Sequence, residues 1–245
     1  MKILEVSNIV RHFSGQKTNA LNNISFSVDD GECIVISGAN GSGKSVLMNL
    51  IAGLDTPTSG TITLNQNDTR VGLVFQDADS QILGDTPEED VAFGPRNLKY
   101  SKETIDTVVK NSLKTVGLIG KEKNPARSLS GGEKRRLGVA GVIAMNASLL
   151  IFDEPFANLD WPGVIQVIEI ILNLKKEGKT IIILTHELEK VLALSNRLII
   201  LFQGELVYDG NSEKALRETS LETWGIRNPL QTYTKYEDLL WKKIN

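Results

Sequence analysis

Gly38-Ala39-Asn40-Gly41-Ser42-Gly43-Lys44-Ser45 matches the glycine-rich phosphate-loop pattern in full. Glycines let backbone N–H groups turn inward around phosphate oxygens. The helix expected to follow, through Leu47, Leu50 and Ile51, adds the positive end of its dipole. In such a loop Lys44 reaches the β- and γ-phosphates, and the Ser45 hydroxyl ligates Mg2+. The bland alternative is a glycine-rich turn. It does not account for the apolar run Cys33-Ile34-Val35-Ile36-Ser37 that leads in, nor for the acidic pair further along.

That pair is Asp153-Glu154, at the end of the apolar run Leu149-Leu150-Ile151-Phe152. Two adjacent carboxylates at a buried strand end need a cation or a proton to offset them. Asp153 is placed to join the magnesium shell, and Glu154 to polarise an attacking water. The alternative is a solvated strand end or a helix cap. Gln76 and His186 also follow apolar runs, where each is either structural or turned towards the γ-phosphate. Ser130 and Glu133 form a capping-box pattern. The helix starting there offers unpaired N–H groups, and Gly131-Gly132 admits close approach of a ligand. Ser130 capping its own helix is compatible with that.

The elements that must position these groups read as strands alternating with helices. Residues 3–10 and 24–28 alternate apolar and polar side chains, as in a half-exposed antiparallel sheet. Continuous apolar runs at 33–37, 71–75, 149–152, 181–184 and 198–202 suit buried parallel strands, with a further strand at 60–64. Thr86-Pro87-Glu88-Glu89 reads as a helix start, and Gly94-Pro95 as its stop. Ser101 should cap a second helix running to about Gly117, and a third runs from Ser130 through Leu137 and Gly141 to Met145. Val164, Ile165, Val167, Ile168, Ile171, Leu172 and Leu174 follow helical spacing. A further helix is expected between strands 181–184 and 198–202. The tail from about Ser212 is polar and mixed, anchored by Trp224 and Trp241.

Length and composition set bounds. The 245 residues suit one domain of unusual size or one domain with an insertion. Hydrophobic residues make up 41%, enough for a core, while no apolar run is long enough to span a bilayer. The first residues lack the apolar centre of a signal peptide. Cys33 is the single cysteine, so no internal disulfide can form; it reads as a small buried hydrophobe. These features point to the cytoplasm. A net charge of −3 gives no argument for nucleic-acid binding.

In order, the phosphate loop, Gln76, Leu129-Ser130-Gly131-Gly132-Glu133, residues 149–154, Asn158-Leu159-Asp160 and His186 resemble the ATPase subunit of ABC transporters, over most of the chain to about Gly210. The resemblance implies an α/β fold: a P-loop NTPase with a RecA-like parallel core, a small antiparallel β subdomain and an inserted α-helical subdomain. Within a single domain spanning 1–245, the core would take 1–78 and 146–210, the helical part 79–145, and the tail 211–245. The ligands implied are ATP and Mg2+, the metal being held by Ser45, Gln76 and Asp153. Phe13 would stack on adenine, or else belong to the small sheet's core. Residues Asn40, Gly41, Ser42, Gly43, Lys44, Ser45 and Val46 would hold the phosphates. Glu154, His186, Gln76 and Lys44 would form the catalytic set. Ser130, Gly131, Gly132 and Asp160 would act in trans, on the nucleotide of a second subunit. Departures from the family's pattern are Ala39, Val46, Glu133 and Trp161; none falls in the catalytic set.

Gln76-Asp77-Ala78-Asp79-Ser80-Gln81-Ile82-Leu83, followed by Glu89-Asp90-Val91-Ala92-Phe93-Gly94-Pro95, resembles the energy-coupling factor group, which includes cobalt, nickel and vitamin importers. That likeness implies a subunit peripheral to the cytoplasmic face of the cell membrane. It would be a homodimer or a heterodimer with a paralogous ATPase, docking a transmembrane coupling subunit near 76–95 and serving a substrate-binding membrane subunit indirectly. Glu88, Glu89 and Asp90 would be counter-charges for arginines of the coupling helices, or simply favour a helix N-terminus. Other ABC importers and exporters remain alternatives. DNA-repair and ribosome-associated ATPases of the superfamily fit less well, because no long coiled coil or second nucleotide domain is present.

Overall fold

The computed structural model describes residues 1–64 and 69–230. Trp241, expected to anchor the tail, lies outside them. Strand β1 (Lys2–Arg11) is flanked by β2 (Leu21–Asp29) and β4 (Ser59–Leu64) in an antiparallel sheet of order β2-β1-β4. The second sheet has six strands: β5 (Val71–Val74), β6 (Leu149–Asp153), β7 (Thr180–Leu184), β3 (Cys33–Ser37), β8 (Arg197–Phe202) and β9 (Glu205–Asn211), in that spatial order. The first five are parallel; β9 pairs antiparallel to β8.

The period of two along each central strand divides the interior into two cores. Ile34, Ile36, Leu149, Ile151, Ile182, Leu184, Ile199 and Leu201 face one way, against helix α1 (Lys44–Ile51) and the antiparallel sheet. Their neighbours Val35, Leu150, Phe152, Ile181, Ile183, Leu198 and Ile200 face the other way, towards the remaining helices. Each such fully buried side chain contributes roughly 1.5–3 kcal/mol. Continuous apolar strands therefore mean burial on both faces, as parallel strands require.

Between β5 and β6 the chain is helical. It forms α2 (Ala78–Gln81), α3 (Pro87–Asn97), α4 (Lys102–Thr115) and α5 (Gly131–Ala144). Thr86, Ser101 and Ser130 cap the last three, as their sequences predict. Helix α5 is buried on most sides, through Leu137, Gly138, Val139, Ala140, Val142 and Ala144. After β6, helix α6 (Trp161–Lys176) crosses back, and α7 (Ser212–Glu218) follows β9. In the tail, Trp224 packs at a tilt on Tyr208, ring centroids 6.5 Å apart.

Two expectations are corrected. Helix α3 does not stop at Gly94-Pro95 but runs through both to Asn97. Pro95 sacrifices only its own N–H bond. Its burial with Val91 and Ala92, and the close approach of Gly94 to Met145, keep the last turn in place. Between β7 and β8 there is no α-helix. Two 3-10 turns, Leu188–Lys190 and Leu192–Leu194, replace it. The backbone leaves helical dihedrals at Val191, φ −133°, which splits the segment into two short turns, and Leu188, Val191, Leu192 and Leu194 are all buried.

Candidate functional site

The phosphate loop leaves the C-terminal end of β3, in the middle of the sheet, and enters α1. Its glycines are required sterically. A Cβ on Gly38 would lie 2.3 Å from the Leu201 carbonyl oxygen, and Gly43, at φ 104°, would strike Leu21 at 2.6 Å. No side chain caps α1, so its first N–H groups face the cleft unclaimed. Lys44 is buried, and its Nζ donates to the carbonyls of Gly38 at 2.6 Å and Ala39 at 3.3 Å. Burial pulls its pKa down, and Glu154 and Asp153 act against that.

Asp153 ends β6 and Glu154 turns off it at φ 44°, a left-handed backbone that aims the side chain across to β7. Glu154 Oε2 accepts the Thr185 hydroxyl at 2.8 Å, and Oε1 accepts the His186 backbone N–H at 3.1 Å. The same Oε1 lies 2.7 Å from His186 Nδ1, which donates when it carries the proton. One Glu154 carboxylate thus holds three partners. Burial, then the adjacent Glu154, pushes the Asp153 carboxyl up; Lys44 and Arg135 pull it back.

These groups share one cleft of about 730 Å³. Asn40, Gly41, Ser42, Gly43, Lys44, Ser45 and Val46 line it, with Gln76, Asp153, Glu154 and His186, and Phe13 closes the far end. The Arg11 guanidinium sits 4.5 Å from the Phe13 ring centroid and is held by Asp55 at 2.9 Å. One face of the ring is therefore taken, and the half-exposed ring still borders the cleft with the rest of its surface.

Ser130, Gly131, Gly132 and Asp160 do not line this cleft. Gly131 borders a separate cavity of about 370 Å³, shared with Gln76, Asp77, Asp79, Arg135 and Asn158. Ser130 caps α5 reciprocally with Glu133, and Asp160 caps α6 through the Gly163 N–H at 3.0 Å. Both side chains thus serve their own helices and lie at an outward-facing edge.

The family described as ABC transporter matches residues 21–157, more than half of the chain. The chain belongs to the ABC transporter family. This ATPase is 41% identical over 214 residues to an energy-coupling factor transporter ATP-binding protein, EcfA2, of Methanospirillum hungatei. The match covers 82% of this chain but 54% of that relative, so the ATPase spans about half the relative's length. It is also similar to the solved structure of CbiO1 from Clostridium perfringens, described as part of the transporter complex CbiONQ. That likeness has TM-score 0.80 and 33% identity, covering 89% of this chain and 91% of the other. A dimeric ATP-binding cassette in a post-hydrolysis state with ADP and phosphate aligns at TM-score 0.75 and 26% identity, over 85% of this chain and 98% of the other. The fold is that of a P-loop NTPase.

Sequence reasoning missed three contributors to the ATPase's site. Thr185 carries no sequence signal of its own beyond preceding a histidine, yet its hydroxyl orients Glu154. Arg11, the last residue of β1 and two before Phe13, backs the ring. Arg135 hides in the charged run Glu133-Lys134-Arg135-Arg136, which reads as a solvated face, and is buried.

Proposed function

We propose that this chain binds Mg–ATP in the cleft, hydrolyses it, and couples the cycle to uptake of a metal ion or vitamin through membrane subunits of the energy-coupling factor type. Asp153, Ser45 and Gln76 form a donor set of carboxylate, hydroxyl and amide, all oxygen. This suits Mg2+, which takes its remaining positions from phosphates and water. Burial and the adjacent Glu154 hold the Asp153 carboxyl up even with Lys44 and Arg135 acting on it, a strain that a bound dication would relieve. Bound there, the metal would neutralise charge on the phosphates.

The chain's own groups do the rest. Backbone N–H groups of the loop and of α1 cradle the phosphates, and Lys44 exchanges its carbonyl partners for phosphate oxygens. Glu154 accepts from a water placed in line with the γ-phosphate, its orientation fixed by Thr185 and His186. Ser130, Gly131 and Gly132, with Asp160, meet the nucleotide of a second subunit head to tail. The dimeric state of the similar ATP-binding cassette supports a paired assembly.

One observation carries the transport reading. The segment that begins at Gln76, on the cleft wall, leads directly to an outer face with Leu83 66% exposed, Phe93 48% exposed and Glu89 exposed. An apolar pair beside an acid suits a membrane subunit's amphipathic, arginine-bearing helix. Asp90 drops out of that surface. It is buried and accepts the N–H groups of Leu83 at 2.7 Å and Gly84 at 3.0 Å. Any counter-charge role belongs to Glu88 and Glu89. The test is to purify the tagged chain from membranes, identify what travels with it and what small molecule is bound. A multi-spanning partner whose retention is lost on Glu89→Lys with Leu83→Asp supports the reading. Retention unchanged by both overturns the docking surface.

A further inference from the structure

We propose that Arg135 is a positioning residue for ATP hydrolysis, a strut that makes Gln76, the loop 157–160 and the start of α5 move as one body. The inference rests on the roles just proposed for those three segments. Arg135 is the fifth residue of α5 and only 4% exposed. Its Nη1 donates to the Phe75 carbonyl at 2.8 Å, next to Gln76. Its Nη2 donates to the Ala157 carbonyl at 3.2 Å, next to Asn158. Its Nε is buried without a partner. Neither acceptor is a carboxylate, so the guanidinium is desolvated for two neutral bonds. A group held at that cost is poorly explained by stability alone. The charges nearest it are Asp153, in the magnesium set, and Asp77.

One further tie fixes the same segment to α5, and a second stiffens the segment itself. Lys134 pairs with Asp79 at 2.6 Å. Gln81 donates to the Leu73 carbonyl at 3.1 Å and accepts the Phe75 N–H at 3.0 Å, copying a neighbouring strand on the free edge of β5. Gly138 is what admits it: a Cβ there would lie 3.0 Å from the Gln81 amide oxygen. Lys134 and Arg135 of α5 thus hold residues 75–79, Gln81 lies against α5 at Gly138, and of the two cations Arg135 also reaches the loop after β6. A shift of Gln76 on nucleotide binding must therefore drag the Ser130 end of α5 and the Asn158-Asp160 loop with it.

The test compares steady-state ATP hydrolysis by the full chain as wild type, Gln76→Ala, Arg135→Met, the double variant and Arg135→Lys. Arg135→Met is expected to lower kcat by about tenfold or more with KM for ATP within about threefold, since the strut acts after binding. The double variant should be no worse than the poorer single, because both break one unit. Arg135→Lys should recover part of the rate, its ammonium holding one of the two carbonyls. Multiplying losses, or a wild-type kcat in Arg135→Met, overturns the strut. If Gln76→Ala alone is silent, the site assignment of Gln76 fails and the strut with it. Should Arg135→Met not fold, Arg135→Lys carries the comparison: an intermediate kcat supports the strut, and a wild-type kcat overturns it.

Discussion

Glu154→Gln separates binding from chemistry in this ATPase, and the neighbouring groups let its effect be worked out. In the wild type, Oε1 faces two donors on His186 and Oε2 faces the Thr185 hydroxyl. A glutamine can place its carbonyl oxygen towards His186 and its NH2 towards Thr185, whose hydroxyl oxygen then accepts. Thr185 is buried and its oxygen already accepts the Glu187 N–H, so its O–H proton loses its acceptor and the fold should weaken by about 1–3 kcal/mol. That is a melting shift of about 2–12 °C for a chain of this size. Removing the charge beside Asp153 also relieves a repulsion that pushes the Asp153 carboxyl up. What is lost is the base. Positioned bases contribute about 10²–10⁴ in rate, which is about 2.7–5.4 kcal/mol of barrier. Initial rates at saturating Mg–ATP, nucleotide titration and thermal melting measure the three quantities separately. A kcat within about threefold of wild type, with ATP binding intact, would refute Glu154 as the base.

Phe13→Ala should raise the Kd for ATP by about 5- to 150-fold, from about 1–3 kcal/mol of base stacking, while Phe13→Tyr stays near wild type; equal binding by Phe13→Ala assigns the ring to the sheet instead. Lys44→Ala should weaken ATP binding by about 10- to 150-fold, the value of charge-assisted bonds to phosphate, as read by nucleotide titration. Burial raises the Asp90 carboxyl above its unfolded value despite the Leu83 and Gly84 N–H groups, so its stabilising contribution is present at low pH and lost as pH rises through the folded pKa. Both N–H groups bind one oxygen, Oδ1, which asparagine retains. Melting curves should therefore show Asp90→Asn more stable than wild type at pH 8, the gain vanishing towards pH 4, and Asp90→Ala less stable by about 1–3 kcal/mol. A lower melting temperature for Asp90→Asn at pH 8 would contradict the assignment.

Local chemistry was legible where a residue's role is set by its own neighbours in sequence. The phosphate loop, the caps at Thr86, Ser101 and Ser130, and the apolar strands all belong to that class. Strand β9 was invisible, because an edge strand with its Leu206, Val207 and Tyr208 only part-buried carries no apolar run. The strand order β5-β6-β7-β3-β8 was equally hidden: it depends on which crossovers pack, not on any one strand. The continuation of α3 past Pro95 depends on Met145, some fifty residues away in sequence. Asp90 and Arg135 show the same limit at the site. Each sits in a charged run that suggests solvent, and each turns inward to a backbone group outside its own helix.

The placement of Ser130 and Gly131 away from the cleft has a genetic consequence. Within a head-to-tail pair, a lesion at Glu154 and a lesion at Ser130 damage opposite halves of a composite site. A chain carrying Glu154→Gln still lends an intact Ser130; a chain carrying Ser130→Arg still lends an intact Glu154. Mixed, the two inactive chains can complement, since one of the two seams then unites both sound halves. Under the proposed head-to-tail pairing, the unit of function is therefore the seam between chains rather than either chain.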